Sequence, residues 1–363
     1  MRGSVLDRSI PRTETDVGYA NARLRGMKAN LLKSAFFDQL IDAPDMYHAI
    51  QVLQDTDYAI EIEDSLIHGR TVGVVDEALK DNIVRVYRKV LNFLNPEART
   101  IIAVLLGRWD SQNIKTVLRG AQNSVGIEQV KASLMPLGYL SETELEALAR
   151  SGDTRAVVDT LRTWENPYAA PLRDGWADYH SSGDLSDLEL ALDRYWATHT
   201  SATLSKRGNN YQVARRVFGT QVDVLNLVMV FRLLRADADQ VRAERYHLDG
   251  GRYIHDDLFV ELSQLSDVDE VLDRLRRTPY AEALDTAAMR YLEFNSISVF
   301  ERAMEMKLLR QAMLTGVRDP QGIGVPITYL YAKQNEVTNL RIIIQGKAVG
   351  MPAERVREDL ILV

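Results

Sequence analysis

The sequence predicts an all-α protein built from three similar helical modules, and three repeated patterns predict it. In the first pattern an acid is followed three residues later by an amide, as Asp110/Asn113, Asp223/Asn226 and Glu336/Asn339. The step from the first pair to the second equals the step from the second to the third. A fixed period of this kind indicates that the chain is built from repeated structural units.

Two further markers follow the same order along the chain. One is an acid followed four residues later by another acid, again at two equal steps: Glu77/Asp81, Glu189/Asp193 and Glu301/Glu305. The other is a leucine followed within a few residues by threonine and tyrosine, at Leu53/Thr56/Tyr58, Leu161/Thr163/Tyr168 and Leu275/Thr278/Tyr280. Three markers in one order, three times, predict three copies of one module.

The repeats divide the chain into predicted domains at residues 1–123, 124–236 and 237–363, arranged around a pseudo-threefold axis. A module of about 113 residues is an ordinary domain size. The first domain begins with a helix in which Met27 stands three residues before Asn30, where the later copies carry an acid. We therefore expect this N-terminal helix to be a closing element and not a true copy.

The first module reads as helices throughout. Apolar positions predict a helix over residues 19–37, and Pro44 beside an acid starts the next. Residues 75–93 place valine, leucine and isoleucine three or four apart, which is one face of a long helix. The helix over 97–121 is apolar on most of its circumference and is predicted to be buried.

The second and third modules repeat this plan. The second has a long helix over 185–204, a polar loop over 205–210 and a buried helix that contains the apolar run 222–234. The third has a long helix over 285–314, an irregular stretch over 316–326 and a last buried helix over 329–349. Strands would be indicated by a sustained alternation of apolar and polar residues between tight turns, and this pattern is nearly absent.

Composition narrows the class of function. The chain has 363 residues, a net charge of −7 and no cysteine. The acidic balance argues against nucleic acid as the main partner, and the lack of cysteine excludes disulfides and thiolate chemistry. Residues 1–15 form a polar arm without the apolar stretch of a targeting peptide. The longest apolar run, about thirteen residues, is too short to span a bilayer, so we expect no transmembrane segment.

Motifs for catalysis or cofactor binding are sparse. No Walker A loop occurs, and Gly322-Ile323-Gly324 lacks the preceding strand and third glycine that pyrophosphate binding needs. His247 and His255 stand near three acids, Asp249, Asp256 and Asp257, which could ligate a metal or lie in a solvated loop. We expect the solvated loop, no catalytic residue and no cofactor.

The repeated acid and amide have two interpretations. They could bond to backbone groups inside each module, because buried polar atoms need partners, or they could line a central opening and contact a partner. Arg119 and Arg232 each follow the amide by six residues, where the third copy has Gln345. These two arginines are candidate partner contacts around an opening, or solvated helix ends.

The order and spacing of several stretches resemble the C subunit of the V-type (archaeal and bacterial A/V-type) ATPases, the counterpart of the eukaryotic d subunit. The resemblance covers essentially the whole chain. It is carried by residues 19–28, 110–114, 223–227 and 319–352.

The resemblance implies a non-catalytic, funnel-shaped helical protein with a central opening. Such a protein joins the rotating central stalk, made of the D and F subunits, to the membrane ring of proteolipid c subunits. Torque would then couple ATP hydrolysis or synthesis to proton or sodium transport. The protein would be peripheral, on the cytoplasmic face of the membrane.

Two other classes remain open. A helical-repeat adaptor of another complex would share every feature of the sequence, and co-purification with stalk and ring subunits would exclude it. A helical metal-dependent hydrolase using His247, His255 and Asp256 is the enzymatic alternative, which metal analysis of the pure protein would test.

Overall fold

The structure, a computed structural model, describes residues 17–67, 69, 71–236 and 243–362. Within these ranges it is helical with no strand, which confirms the all-α prediction. The polar arm predicted over residues 1–15 lies outside the described residues. The funnel arrangement and the division into three domains stay predictions.

The N-terminal third consists of short helices followed by two long ones. Helix α6 starts at an N-cap, because the Oδ1 of Asn95 accepts from the amide of Ala98 at 2.8 Å and Pro96 occupies the first turn. The helices are α1 (Gly18–Ala29), α2 (Ser34–Asp42), α3 (Met46–Leu53), α4 (Ala59–Leu66), α5 (Val72–Phe93) and α6 (Pro96–Gln122).

The middle third repeats this order of short and long helices. Helix α8 begins with a capping box in which Ser141 and Glu144 satisfy each other's backbone amides. The helices are α7 (Ile127–Ala132), α8 (Glu142–Ala149), α9 (Thr154–Thr163), α10 (Ala169–Asp174), α11 (Trp176–Ser182), α12 (Ser186–Leu204) and α13 (Asn209–Ala236).

The last third repeats the order again and ends in a short helix. A 3-10 turn at Glu244–Tyr246 precedes it. The helices are α14 (Asp256–Ser263), α15 (Val268–Leu275), α16 (Ala281–Phe294), α17 (Ser298–Arg318), α18 (Gly324–Ala348) and α19 (Ala353–Asp359).

Two helices that the apolar pattern predicts as continuous are broken, so those predictions were wrong. The helix expected over 19–37 ends at Ala29, and the backbone amide of Leu32 donates to Glu336 instead of continuing a helix. The helix expected over 285–314 is interrupted at Asn295, which has φ 46° and ends α16. Asparagine is among the few residues that adopt this left-handed conformation readily.

The buried apolar side chains of the described ranges form three clusters. One runs from Ile114 on α6 to Leu192 on α12, and a second from Val224 on α13 to Leu308 on α17. The third gathers residues from α1 to α6 together with α18 and the first half of α13. The N-terminal helices therefore share a core with the last long helix of the chain.

The three inner helices α6, α13 and α18 each belong to such a core. Helix α13 is long and apolar enough to cross a membrane by length and composition, over Asn209–Arg235. Of its most apolar window, 67% is buried within the protein. Core helices of globular proteins pass the same test, so this is weak evidence for a membrane span.

Candidate functional site

The repeated amide fastens each inner helix to the segment that lies 22 residues later in the chain. Its side-chain nitrogen donates to a backbone carbonyl, and its side-chain oxygen accepts from the amide of the same residue, at distances of 2.7 to 3.0 Å. All three amides are buried. The pairs are Asn113 with Met135, Asn226 with Leu248, and Asn339 with Ile361.

The repeated acid fastens the same segment a few residues further on in two of the copies. Asp110 accepts from the amides of Tyr139 and Leu140 at 2.8 and 3.0 Å. Asp223 accepts from three successive amides, those of residues 252–254. Burial raises the pKa of Asp110 to about 6, against the lowering effect of its two backbone donors.

Glu336 is held differently from Asp110 and Asp223, because its hydrogen-bond donors come from other parts of the chain. The N-terminal region supplies the donors instead. The amide of Leu32 donates to Oε2 at 2.5 Å, and the hydroxyl of Tyr58 donates to Oε1 at 2.7 Å. Lys333 completes the group, with its Nζ 2.8 Å from Glu336 Oε1 and 2.9 Å from the Tyr58 oxygen. We call Tyr58, Lys333 and Glu336 the closing triad.

In the first and third copies the leucine–threonine–tyrosine marker positions a tyrosine beside one of these acids. Thr278 Oγ1 donates to the carbonyl of Leu275 and accepts from the amide of Tyr280, and Thr56 makes the same pair of bonds. The tyrosine hydroxyl then reaches an inner helix: Tyr58 donates to Glu336, Tyr280 to Asp223, and Tyr168 to the carbonyl of Gly107.

The two arginines predicted to contact a partner each form an ion pair with the first acid of the acid–acid marker. Arg119 makes a two-point ion pair with Glu189, at 2.5 and 2.6 Å, and Arg232 lies 2.6 Å from Glu301. In the third copy Gln345 lies 3.3 Å from Asp76, beside Glu77. The arginine side chains remain 57% and 60% exposed, so part of each guanidinium still faces solvent.

Side chains from all three inner helices line a cavity of about 330 Å³ between them and α17. Arg108, Gln221 and Gln334 contribute from equivalent positions of the three copies, each two residues before the repeated acid. Tyr87, Trp109 and Tyr331 add aromatic surface, and Glu305 adds an acid. None of the six residues of the repeated acid–amide pairs is among the residues that line it.

Sequence reasoning missed this lining, although the repeat itself held the signal. The acid and the amide draw attention because they are polar within apolar helices, whereas Arg108 and the two glutamines look like ordinary surface residues. The signal that could have identified them is their position, because each stands two residues before a repeated acid.

His247 and His255, expected in a solvated loop, flank the segment 248–254; the expectation was wrong for His247, whose side chain is only 8% exposed, whereas His255 is exposed. His247 Nδ1 is 3.4 Å from Asp256 and 3.8 Å from Asp249, and His247 Nε2 is 3.3 Å from the carbonyl of Ile254. Over residues 17–67, 71–236 and 243–362 no group of three histidine, aspartate or glutamate side chains has the geometry to hold a metal ion.

Two glycines allow the acids to approach the held segment. A Cβ on Gly138 would lie 2.3 Å from an Asp110 oxygen, and one on Gly251 would lie 2.4 Å from an Asp223 oxygen. We expect Gly138→Ala and Gly251→Ala each to lower the free energy of unfolding by about 1–3 kcal/mol, because the carboxylate must move off its backbone donors.

Urea unfolding of the two variants checks this expectation against Gly126→Ala, whose added Cβ has no neighbour within 4 Å. Equal stability of all three variants would show that the close contacts at Gly138 and Gly251 carry no constraint.

Comparison with known proteins gives consistent matches over nearly the whole chain. A family model described as ATP synthase (C/AC39) subunit matches residues 20–359. The C subunit of the A-type ATP synthase of Methanocaldococcus jannaschii is 29% identical over 346 residues, which cover 94% of this chain and 86% of that protein. The C subunit of the V-type ATP synthase of Deinococcus radiodurans is 28% identical over 345 residues, covering 95% and 91%. The C subunit of the A-type ATP synthase of Methanothermobacter thermautotrophicus is 30% identical over 348 residues, covering 94% and 87%.

Proposed function

The chain belongs to the ATP synthase (C/AC39) subunit family, and from that premise we propose that it is the rotor socket between the central stalk and the membrane c ring. It is a non-catalytic subunit of a V/A-type ATP synthase. In the proposed role, one face receives the D and F subunits, and another rests on the cytoplasmic rim of the proteolipid c ring. Torque passing through it couples ATP hydrolysis or synthesis to proton or sodium transport.

The observation that carries the proposal is the cavity lined from equivalent positions of α6, α13 and α18. Three related helices that present matched positions to one space form a suitable seat for the tip of a helical shaft, by helix-in-groove contacts. Transmission of torque requires stiffness and sizeable interfaces, on the order of 1,000 Å² each. It requires no active site. This agrees with the repeated acids and amides, most of which bond to backbone groups of the protein itself.

The internal fastening supports the stiffness that a rotor part needs. Each inner helix is bonded through its repeated amide to a segment 22 residues later, and the N-terminal region is bonded to the last inner helix through the closing triad. Twisting one module against the next would break buried hydrogen bonds. The donors and acceptors of these bonds could not form replacement bonds with water.

Binding of tagged protein to purified D–F complex, and separately to detergent-solubilised c ring, tests the proposal. We expect both to bind, and both at once. Arg108→Glu should weaken capture of D–F, because it changes the cavity lining. Arg155→Glu, which changes an exposed side chain of α9, should not. If neither partner binds the wild-type protein, the rotor role is contradicted and an adaptor of another complex becomes the better explanation.

Arg119 and Arg232 remain proposed partner contacts, and their effect on coupling gives a further prediction. We expect Arg119→Glu together with Arg232→Glu to reduce ion transport per ATP hydrolysed while hydrolysis continues. The fold should persist, because exposed ion pairs contribute only about 0–1 kcal/mol. Transport and hydrolysis are measured together in the assembled complex.

The charge-swapped variant separates partner contact from internal pairing. Adding Glu189→Arg and Glu301→Arg to the double variant restores both ion pairs with the charges exchanged. Recovery of coupling in the swapped protein would show that only the internal pairs matter, and unchanged coupling in the double variant would remove these arginines from the socket.

A further inference from the structure

Each inner helix, α6, α13 or α18, follows a long helix, which is α5, α12 or α17 respectively. The three loops that join these pairs of helices lie together at one end of the molecule. Asn209 Nδ2 is 3.4 Å from Asp319 Oδ1, and the amide of Ile323 donates to Asn210 Oδ1 at 3.2 Å. These bonds join the loop before α13 to the loop before α18. Helix α1 crosses the same end, because Asn21 donates to the carbonyl of Gly322 at 3.0 Å.

The loop before α6 reaches the same end through α1. The guanidinium of Arg23 lies 4.4 Å from the ring centre of Phe93, the last residue of α5. Arg25 donates to the carbonyl of Pro320 in the loop before α18. Helix α1 therefore bridges the first and third of these loops.

A group of cations without carboxylate partners covers this end. None of its members is in an ion pair with another residue of the described ranges, and all are exposed. We define the basic end by these residues: Arg23, Arg25, Lys206, Arg207, Arg215 and Arg318.

The cations of the basic end that form hydrogen bonds donate to neutral groups, and Glu97, the acid that lies near Tyr211, forms no ion pair with them. Arg215 donates to the carbonyl of Lys206, and Arg23 donates to the hydroxyl of Tyr19 at 2.6 Å, so both meet neutral groups. Asp319, the acid on the last loop, is half-buried and accepts from the backbone amide of Gly324 at 2.9 Å. The whole chain carries −7, so this end differs in sign from the protein average.

Exposed apolar side chains stand among these cations. Val317 is 73% exposed beside Arg318, and Leu314 is 45% exposed one turn earlier on α17. Tyr19 is 46% exposed on α1. Long cationic side chains mixed with exposed apolar and aromatic groups are typical of surfaces that rest on lipid headgroups, where the charge meets phosphate and the apolar part meets the acyl boundary.

We propose that the basic end binds the anionic headgroups of a phospholipid bilayer, and so is the membrane-facing end of the subunit. An acidic protein surface is the competing partner. The lipid surface fits better, because the cations come from several separate loops and helices, are not fixed by carboxylates and are interspersed with apolar groups. The proposal deepens the proposed function by orienting the subunit, but binding to lipid can be measured without any other subunit.

Co-sedimentation of the full-length protein with vesicles tests the proposal. The probes are vesicles of equal parts phosphatidylglycerol and phosphatidylcholine, and vesicles of phosphatidylcholine alone. We expect binding to the anionic vesicles only, weakening at high salt because exposed charges are screened. Lys206→Glu with Arg207→Glu should lower that binding by about tenfold or more.

The matched control is Arg276→Glu with Arg277→Glu, an adjacent exposed basic pair on another part of the surface, which makes the same change in net charge. It should retain at least most of the binding. Helical circular dichroism checks that both variants fold.

Absence of wild-type binding to anionic vesicles, or an equal loss in both double variants, would overturn the proposal. The proposal is also overturned if the protein does not bind the vesicles and Lys206→Glu with Arg207→Glu abolishes capture of D–F. That result would show that the basic end contacts an acidic protein. Failure of the rotor role is distinguishable, because it appears as loss of D–F and c-ring capture by the wild-type protein whatever the vesicles show.

Discussion

Glu336→Leu is expected to lower the free energy of unfolding by about 3–5 kcal/mol, the loss typical of breaking one side of a buried ion pair. Lys333 and Glu336 are only 4% and 5% exposed at their side chains, so the ammonium left behind cannot reach water. Burial already lowers the pKa of Lys333, and the neighbouring carboxylate opposes that shift. The variant would also leave the amide of Leu32 and the hydroxyl of Tyr58 without their acceptor.

The double variant Lys333→Met with Glu336→Leu should lose less stability than Glu336→Leu alone. Removing both charges abolishes the unpaired buried ion, and apolar side chains of similar size are tolerated well in place of buried ion pairs. Urea unfolding of the two variants measures the difference. Greater loss in the double variant would mean that the ion pair itself stabilises the closure.

Glu63→Leu provides the matched control. Glu63 lies on α4, close in sequence to Tyr58, and is exposed. Its replacement should change stability by no more than about 0.5 kcal/mol. Limited proteolysis would add a local measurement, since loss of the closing triad should expose the N-terminal helices before the rest of the protein. If cleavage starts elsewhere, these residues do not close the molecule.

Asn113→Ala and Asn226→Ala are each expected to cost about 2–4 kcal/mol, because each change removes two buried hydrogen bonds and leaves a buried backbone amide without its acceptor. The amide bonds are equivalent in the two copies, so the two losses should be similar. Thermal and urea unfolding measure them, with Asn92→Ala at an exposed position as the control.

Asn339→Ala should cost less than its two counterparts, about 1–2 kcal/mol. The carbonyl of its partner, Ile361, also accepts from the side chain of Asn335 at 2.8 Å, and the neighbouring Leu362 is 49% exposed, so the freed groups keep one partner and lie close to water. Equal losses in all three variants would contradict this reasoning, and losses no larger than that of Asn92→Ala would show that the repeated amides do not fasten the fold.

Several features could be predicted from the sequence because they are periodic and local. The helical class and the inner helices follow from apolar spacing. The places of the six acid and amide residues follow from a constant repeat period that can be read directly along the chain. Their buried polar character was also predictable, because a polar residue in an apolar helix needs a hydrogen-bond partner.

Two helix breaks escaped prediction for a related reason. The apolar pattern continues through Leu32 and Asn295, and pattern alone gives no reason to stop there. Leu32 leaves the helix because its amide meets Glu336, which is 304 residues away in sequence. Asn295 ends α16 by its backbone conformation. In the first case a tertiary contact outweighs the weak local preference for helix.

The sequence by itself determined the class of fold, the repeat and the family, because these depend on the order and spacing of residues along the chain. Only the tertiary structure decided which residues meet. It joined Arg119 to Glu189 and Tyr58 to Glu336, placed Arg108 in the cavity between the inner helices, and collected unpaired cations from distant loops at one end. The physical reason is that such contacts join residues far apart in the chain, where no local pattern specifies the partner and packing of the whole chain does.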